Sequence, residues 1–155
     1  MALEKENVKE NVKENDTNSR VSRSVAVYLA HNFAAKKVLE TFVPHFNSFN
    51  IVATSRWVTR TPYNLEKHMT REGEAMMDKQ DIDSADAIIF FTDQFGDTPG
   101  RGKFWELGYA YGHGKLCVLV GEDMESCVFY HLPTMVKVKS IEEAIEVIRT
   151  RFHLV

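Results

Sequence analysis

The chain has 155 residues, of which 44% are hydrophobic and 26% charged, as expected for one globular domain with a real core. Its net charge of −3, without an obvious basic face, argues against nucleic acid as a partner. The sequence contains neither an apolar run of about 18 residues, as a membrane span requires, nor the apolar segment of a signal peptide. We therefore expect a cytoplasmic protein that does not contact membranes.

Residues 1–22 are polar and contain the near-repeat KENVKENVKEN, which predicts a disordered tail. Residues 23–155 are predicted to form a single α/β domain, with strands at short apolar runs and helices where apolar residues recur at helical spacing. The predicted strands cover residues 24–30, 50–57, 86–92, 115–121 and 135–139. The predicted helices cover residues 34–46 and 65–84, a segment that begins at Gly100, and a segment that begins with a capping box at Ser140.

This alternation predicts a five-stranded parallel sheet in a three-layer sandwich, either flavodoxin-like or Rossmann-like. Such folds bind ligands beyond the carboxyl ends of the strands, where the strand order reverses. No GxGxxG or GxxxxGK motif follows the first strand, and the loop HNFAAKK lacks the Ser/Thr-rich phosphate site expected for a flavin mononucleotide. We expect neither a cofactor nor a metal ion, since the histidines lack partners at metal-binding spacings.

Four side chains at the predicted carboxyl edge are candidate ligand contacts. Tyr28 and His31 lie at the end of the first strand, and Arg56 and Trp57 at the end of the second. The Arg-Trp pair has two interpretations, simple packing or a stacking and anion-binding pair for a ligand that carries a base.

Residues 100–115, GRGKFWELGYAYGHGK, contain the strongest candidate for chemistry. Glu106 is predicted within about the first helical turn, where free N–H groups and the helix dipole favour an ionised carboxylate and hence a nucleophile. Gly108 and Gly112 lie four residues apart, which predicts a close approach of this helix to the sheet. The alternative is an ordinary packed helix with a solvent-facing Glu.

A second carboxylate is predicted near the same edge. Asp78 lies eight residues before Asp86, where the third strand begins, on a helix that runs antiparallel to that strand. Its side chain can therefore come close to the carboxyl edge, because the two elements span similar lengths. Asp81 is a further candidate, and the alternative for both aspartates is a solvated helix face.

Three segments resemble the nucleoside 2-deoxyribosyltransferase superfamily, which includes the deoxynucleoside 5′-monophosphate N-glycosidases. They are VYLA with Tyr28, DKQDIDSAD from Asp78 to Asp86, and FWELGYAYGHGK with Glu106, within a resemblance that spans about residues 24–150. The resemblance implies that Glu106 attacks C1′ of a 2′-deoxynucleoside or its 5′-monophosphate to form a covalent glycosyl-enzyme. Asp78 or Asp81 would handle the proton on the base, Tyr28 would orient Glu106, and water or another base would accept the sugar.

The sequence departs from these relatives six residues before Glu106. The transferases have an Asp there for the sugar hydroxyl and the monophosphate hydrolases a Ser for phosphate, whereas this chain has Gly100. Arg101 and Lys103 follow, and the backbone N–H groups of Gly100, Arg101 and Gly102 are candidates for holding an anion. These groups slightly favour a nucleotide over a nucleoside as the expected substrate.

The resemblance also implies a homodimer or larger assembly whose sites share residues across the interface. Trp57, Phe95 and Phe129 are expected to be exposed, which is compatible with such an interface. The main alternative function is a non-catalytic nucleotide-binding or sensing module on the same fold. The sequence leaves open the base, the phosphorylation state of the substrate and the acceptor of the sugar.

Overall fold

The computed structural model describes residues 23–60, 70–93, 100–124 and 127–155. Over these ranges, five strands form one parallel sheet in the order β2-β1-β3-β4-β5, which confirms the predicted sheet. The strands are β1 (Val25–Ala30), β2 (Ile51–Ala53), β3 (Ala87–Phe91), β4 (Leu116–Val120) and β5 (Val136–Val138). The predicted disordered tail, residues 1–22, lies outside the described residues.

Helices cover both faces of the sheet, as predicted for a three-layer α/β fold. Two of them, α3 and α4, pack together on one face. The helices are α1 (Lys36–Asn47), α2 (Arg56–Thr59), α3 (Arg71–Asp83), α4 (Gly102–Gly112) and α5 (Ile141–Phe152), with 3-10 turns at Phe33–Ala35 and Val128–His131. In the part of the chain that the structure describes, no helix has the length and apolar character needed to cross a bilayer.

The centre of the sheet is buried on both faces, which explains the apolar runs in its strands. All residues of β3 are buried, and β1 is buried except at one position. A side chain helps to join these two strands, because the Asp86 carboxylate accepts the backbone N–H of Ala26 at 2.9 Å. This contact lies at the edge opposite the candidate site and agrees with a structural role for Asp86.

The second strand is shorter than predicted and ends at Ala53. Ser55 ends the pairing because its hydroxyl accepts the backbone N–H of Leu29 at 2.6 Å and so takes the place of a main-chain partner. The chain then turns into α2, so that Arg56 and Trp57 lie on a helical turn and not on a strand. The predicted helix over residues 65–84 begins at Arg71 in the described residues, and residues 65–69 lie outside them.

The glycines inside α4 do not provide clearance against the sheet, and that prediction is wrong. Gly108 and Gly112 are exposed, and a Cβ atom added at either position would meet nothing within 4 Å. At α5, by contrast, the predicted cap is present, since the Ser140 hydroxyl accepts the N–H of Glu143 at 3.2 Å. The Glu143 carboxylate accepts the N–H of Lys139 at 2.8 Å, so both ends of the capping interaction are made.

Candidate active site

The candidate site lies at the carboxyl edge of β1 and β3. Strand β1 pairs with β2 on one side and with β3 on the other, so the strand order reverses at β1. In doubly wound sheets this reversal opens a crevice beyond the strand ends, where ligands bind. Side chains from β1, α3 and α4 come together near this edge.

The side chains of Tyr28 and Glu106 are hydrogen-bonded to each other, although the two residues lie 78 positions apart in the sequence. The Tyr28 hydroxyl donates to Glu106 Oε1 at 3.0 Å, which joins the end of β1 to α4. Tyr28 is fully buried, and burial together with the nearby Glu106 charge raises the pKa of its phenol. Tyr28 therefore remains a hydrogen-bond donor and holds one oxygen of the Glu106 carboxyl group in place.

The second oxygen of Glu106 is the candidate nucleophile. Oε2 is buried and has no hydrogen-bond partner among the described residues. Burial raises the pKa of Glu106 to about 8, with a further rise from the Asp78 charge, and the Tyr28 hydrogen bond and Lys103 oppose that rise. The prediction of a first-turn Glu ionised by the helix dipole is wrong, because Glu106 is the fifth residue of α4 and desolvation dominates.

Asp78 lies on α3 beside this pair, as its position relative to Asp86 predicted. Its Oδ1 is buried and has no hydrogen-bond partner in the described part of the chain. Burial raises the pKa of Asp78 to about 6, and the charges of Asp81 and Glu74 add to the rise. A carboxyl group with a pKa of about 6 still carries a proton in part of the molecules at neutral pH and can donate it to a leaving group.

Asp81 has a different environment from Asp78. It is 5% exposed, so a solvated helix face does not describe it. Its Oδ2 accepts the backbone N–H of Arg56 at 2.8 Å, its Oδ1 accepts Arg56 Nε, and Arg56 Nη2 also donates to the Met77 carbonyl at 3.0 Å. This ion pair joins α2 to α3, so both side chains already have partners within the chain.

Trp57 and His31 lie at the same edge but are packed into the protein. Trp57 is 6% exposed, so the expectation of an exposed ring is wrong; its indole N–H donates to the Leu29 carbonyl at 3.2 Å. The His31 ring stacks on Phe91 with centroids 5.2 Å apart, and its Nε2 lies 3.4 Å from Asp93 Oδ1. Burial lowers the pKa of His31. Ligand contacts of both residues remain predictions.

The predicted anion site lies at the start of α4. Gly100 has a φ of +53°, and a Cβ atom there would come within 2.7 Å of Asn32 Cβ. Asn32 follows directly after β1, so the loop before α4 packs tightly against the end of that strand. Arg101 and Gly102 are exposed at the same edge. An anion at this position remains a prediction, and residues 94–99 of the preceding loop lie outside the described residues.

Lys103 is a charged neighbour whose position the sequence analysis missed. It is 3% exposed, and its ammonium group donates to the carbonyls of Phe91 at 2.7 Å and Asp93 at 2.9 Å. The sequence suggested that Lys103 lies beside a solvent-accessible anion site. In the structure its ammonium group faces the interior instead. The available signal was its spacing, because residues three apart on a helix share a face and Glu106 follows Lys103 by three.

The site thus combines one carboxyl oxygen that has no hydrogen-bond partner among the described residues with a second carboxyl group that can carry a proton. One oxygen of each carboxyl group is buried, and both acids lie at the edge where this fold binds ligands. Such a pair can cleave a glycosidic bond through a covalent intermediate, with one acid as nucleophile and the other as proton donor. Among the described residues, no group of three or more His, Cys, Asp or Glu side chains is placed to hold a metal ion.

Comparison with known proteins gives the context of this site. The sequence profile described as Nucleoside 2-deoxyribosyltransferase matches residues 25–145. No curated protein matches the chain.

Three solved structures are similar to this chain in fold. A 2-deoxyribosyltransferase from Bacillus psychrosaccharolyticus has 20% identity and a TM-score of 0.56, with 77% of this chain and 90% of that chain covered. The CMP N-glycosidase BcmB from Clostridium botulinum has 16% identity and a TM-score of 0.54, with coverages of 82% and 98%. BlsM has 19% identity and a TM-score of 0.54, with coverages of 81% and 87%. At these identities, the likenesses show a shared fold.

Proposed function

Because the chain belongs to the nucleoside 2-deoxyribosyltransferase family, we propose that it cleaves the N-glycosidic bond of a 2′-deoxynucleoside or its 5′-monophosphate through a covalent bond between the sugar and Glu106. The observation that carries this proposal is the 3.0 Å hydrogen bond from Tyr28 to Glu106 Oε1, while the buried Oε2 has no hydrogen-bond partner among the described residues. The family and similar solved structures include enzymes that act on N-glycosidic bonds.

In the first step, Glu106 Oε2 attacks C1′ and the bond between C1′ and the base nitrogen breaks. The electron pair of that bond goes to the base, and Asp78 supplies the proton that the departing base needs. Tyr28 keeps the carboxylate oriented during the attack, because its hydroxyl holds the other oxygen. A 2′-deoxy sugar suits this step, since an oxocarbenium-like transition state is reached more easily without the 2′-hydroxyl.

In the second step, water or another base attacks C1′ and the bond between C1′ and Glu106 breaks. The Glu106 carboxylate leaves with its electron pair, and Asp78 takes the proton of the attacking group. The same two acids therefore serve both halves of the reaction, in reversed roles for Asp78. The acceptor decides whether the enzyme is a hydrolase or a transferase.

Proton placement sets a requirement for this mechanism. The values of about 8 for the pKa of Glu106 and about 6 for that of Asp78 imply that the pair holds one proton at neutral pH. With these values the proton lies mainly on Glu106, and the reactive form, with the proton on Asp78 and the negative charge on Glu106, is the less populated one. Since two interacting acids titrate as a pair, this form is part of the singly protonated state and is available between those pKa values.

The substrate range is tested by incubation of the protein with a panel of deoxynucleosides and their 5′-monophosphates, with and without added free bases. Chromatography measures released base and exchanged nucleosides. We expect release of free base from at least one substrate, loss of that release by more than about a hundredfold in Glu106→Gln, and little change in a control, Glu142→Gln, at an exposed position of α5.

Mass spectrometry of acid-quenched reactions adds a direct test, because the peptide that contains Glu106 should gain the mass of a deoxyribosyl group, or of its 5′-phosphate when a monophosphate is the substrate. Full activity of Glu106→Gln would contradict the proposed mechanism. Tight nucleotide binding without any release of base, unchanged in affinity by Glu106→Gln, would instead identify a non-catalytic binding or sensing module.

A further inference from the structure

Lys103 is a buried cation for which the mechanism above has no role. Its side chain is 3% exposed, and its ammonium group lies at the carboxyl end of β3, bonded to the carbonyl oxygens of Phe91 and Asp93. The same group lies over two aromatic rings, 5.1 Å from the centroid of Phe90 and 5.8 Å from that of Phe104. A methionine or leucine would fill this position without the cost of burying a charge.

The surroundings of Lys103 compensate that cost only in part. Two carbonyl oxygens and two ring faces stabilise an ammonium group, but they carry no net charge. A buried charge requires a partner of opposite sign, and burial lowers the pKa of Lys103, whereas the negative charges of Asp93 and Glu106 raise it. Asp93 is 57% exposed in its side chain and also faces His31. Glu106, which is only partly exposed, is the more buried of the two anions that act on Lys103.

The charged groups around Glu106 show why a cation is needed there. Tyr28 from β1 is neutral, and Asp78 from α3 adds negative charge. Another cation, Arg56, is paired with Asp81 by two hydrogen bonds, one from its backbone and one from its side chain. Lys103 lies one helical turn before Glu106 on α4 and lowers the pKa of Glu106, against the larger effect of burial.

On the basis of the proposed function, we propose that Lys103 is a positioning residue for the reaction. Its buried ammonium group joins the start of α4 to the end of β3 and supplies the positive charge that allows the Glu106 carboxylate to exist in a closed site. The two roles reinforce each other, because the hydrogen bonds to β3 hold the charge one helical turn from the nucleophile. Loss of the charge lowers the population of the reactive form, in which Asp78 holds the shared proton and Glu106 is ionised.

Two variants separate the charge from the mechanical tie. Lys103→Gln keeps an amide N–H group that can donate to the β3 carbonyls but removes the charge, and Lys103→Met removes both. Lys37→Gln is the matched control, since Lys37 is exposed on α1. Thermal unfolding reports whether each variant folds. The titration of Glu106 is then followed in substrate-free protein by carbon-13 NMR of labelled Glu carboxyl groups, with the signal assigned by its absence in Glu106→Gln.

We expect the titration midpoint of Glu106 to rise by about one pH unit in Lys103→Gln and to stay unchanged in Lys37→Gln. The maximal kcat/KM should fall about tenfold, the factor that corresponds to one pH unit, and the alkaline limb of its pH profile should move upward. An unchanged Glu106 titration, or a loss of activity that is equal at all pH values, would overturn the proposal and leave Lys103 with a structural role.

The NMR titration also distinguishes a failure of this proposal from a failure of the proposed function. If wild-type protein releases no base from any substrate while Lys103→Gln raises the Glu106 midpoint, the function is wrong and the assignment of Lys103 stands. If wild-type protein is active and the midpoint does not move, the assignment of Lys103 is wrong and the function stands.

Discussion

At the scale of single residues, the site depends on one carboxyl group whose two oxygens have different environments. Glu106 Oε1 accepts the Tyr28 hydroxyl, whereas Oε2 is buried without a partner among the described residues. A group of this kind is costly to the fold, because its ionised form is poorly solvated. Function at Glu106 should therefore oppose stability, and two expectations follow from the direction of its pKa shift.

The first is that Glu106→Gln stabilises the protein. The pKa of Glu106 rises from 4.5 to about 8 on folding, so between these values the native state binds more protons than the unfolded state. Stability conferred by the protonated form is therefore complete below about pH 4.5 and is lost as the pH rises to about 8. A glutamine escapes this loss, can still accept the Tyr28 hydroxyl, and should raise Tm by several degrees at pH 9.

Differential scanning calorimetry at pH 5 and pH 9 measures this effect. The gain in Tm should be clearly larger at pH 9, and Glu142→Gln on the surface of α5 should show no such dependence on pH. A lower Tm for Glu106→Gln at pH 9 would mean that the carboxylate is well solvated or paired in the native protein.

The second expectation concerns Asp78. Wild-type kcat/KM should show a bell-shaped pH dependence with limbs near the pKa values of about 6 and about 8, since the active pair holds one proton. Asp78→Asn removes the proton donor and a negative charge that raises the pKa of Glu106. We expect lower activity, by about 10²- to 10⁴-fold, with no alkaline limb and with an acidic limb below pH 8. Steady-state kinetics from pH 5 to pH 10 tests this, and a retained alkaline limb would exclude Asp78 as the donor.

At the scale of elements, the site is held by the ends of strands and helices. The β1 end is joined to α4 through Tyr28, to the segment before α2 through Ser55, and to the loop before α4 through Asn32. The ion pair of Arg56 with Asp81 adds a bond between α2 and α3. Hydrogen bonds and close packing at the loops thus set the positions of the two acids.

Replacement by alanine should have opposite effects on stability at two glycines of this region. Gly100→Ala places a Cβ atom 2.7 Å from Asn32 Cβ at a φ of +53°. We expect a loss of roughly 1–3 kcal/mol, since the left-handed conformation alone costs about 1–2 kcal/mol, together with reduced activity. Gly108→Ala meets no neighbour within 4 Å and should stabilise α4 by about 1 kcal/mol.

Urea unfolding of the two variants, with base release measured in parallel, distinguishes these effects. Equal and small effects of Gly100→Ala and Gly108→Ala on stability and activity would show that the contact with Asn32 does not position the start of α4.

At the scale of the whole molecule, exposed apolar side chains suggest association between chains. Val128 and Phe129 on the second 3-10 turn are 73% and 68% exposed, and Trp105, next to Glu106 in α4, is 56% exposed. Large exposed apolar patches often mark an interface between proteins. Phe129 was expected to be exposed, whereas Phe95 lies outside the described residues.

We expect a dimer or larger assembly, with a mass at least twice the 17.8 kDa of one chain. Light scattering at micromolar concentration measures it. Phe129→Ser should weaken association without unfolding the chain, and Phe33→Ser, at a residue that is 53% exposed next to α1, serves as the comparison. A monomeric, fully active wild-type protein would exclude a site shared between subunits.

The sequence was sufficient for the parallel sheet, the placement of Tyr28, Asp78 and Glu106 at one edge, and the family. These features follow from local signals, namely apolar runs, helical spacing and the ELGYA segment. Each of these signals depends on residues that lie close together in the sequence. The actual length of β2 was not predictable in this way, because Ser55 ends the strand through a bond to Leu29, far away in the chain.

The tertiary structure alone decided the chemical state of the site. The raised pKa of Glu106, the pairing of Arg56 with Asp81 and the burial of Lys103 all result from distances between residues on different elements. Such distances determine how strongly a charge is desolvated and which group pairs with it. Neither property can be predicted from the spacing of residues along the chain. The sequence thus identifies the acids, and the packing of β1, β3, α3 and α4 determines which of them holds the proton.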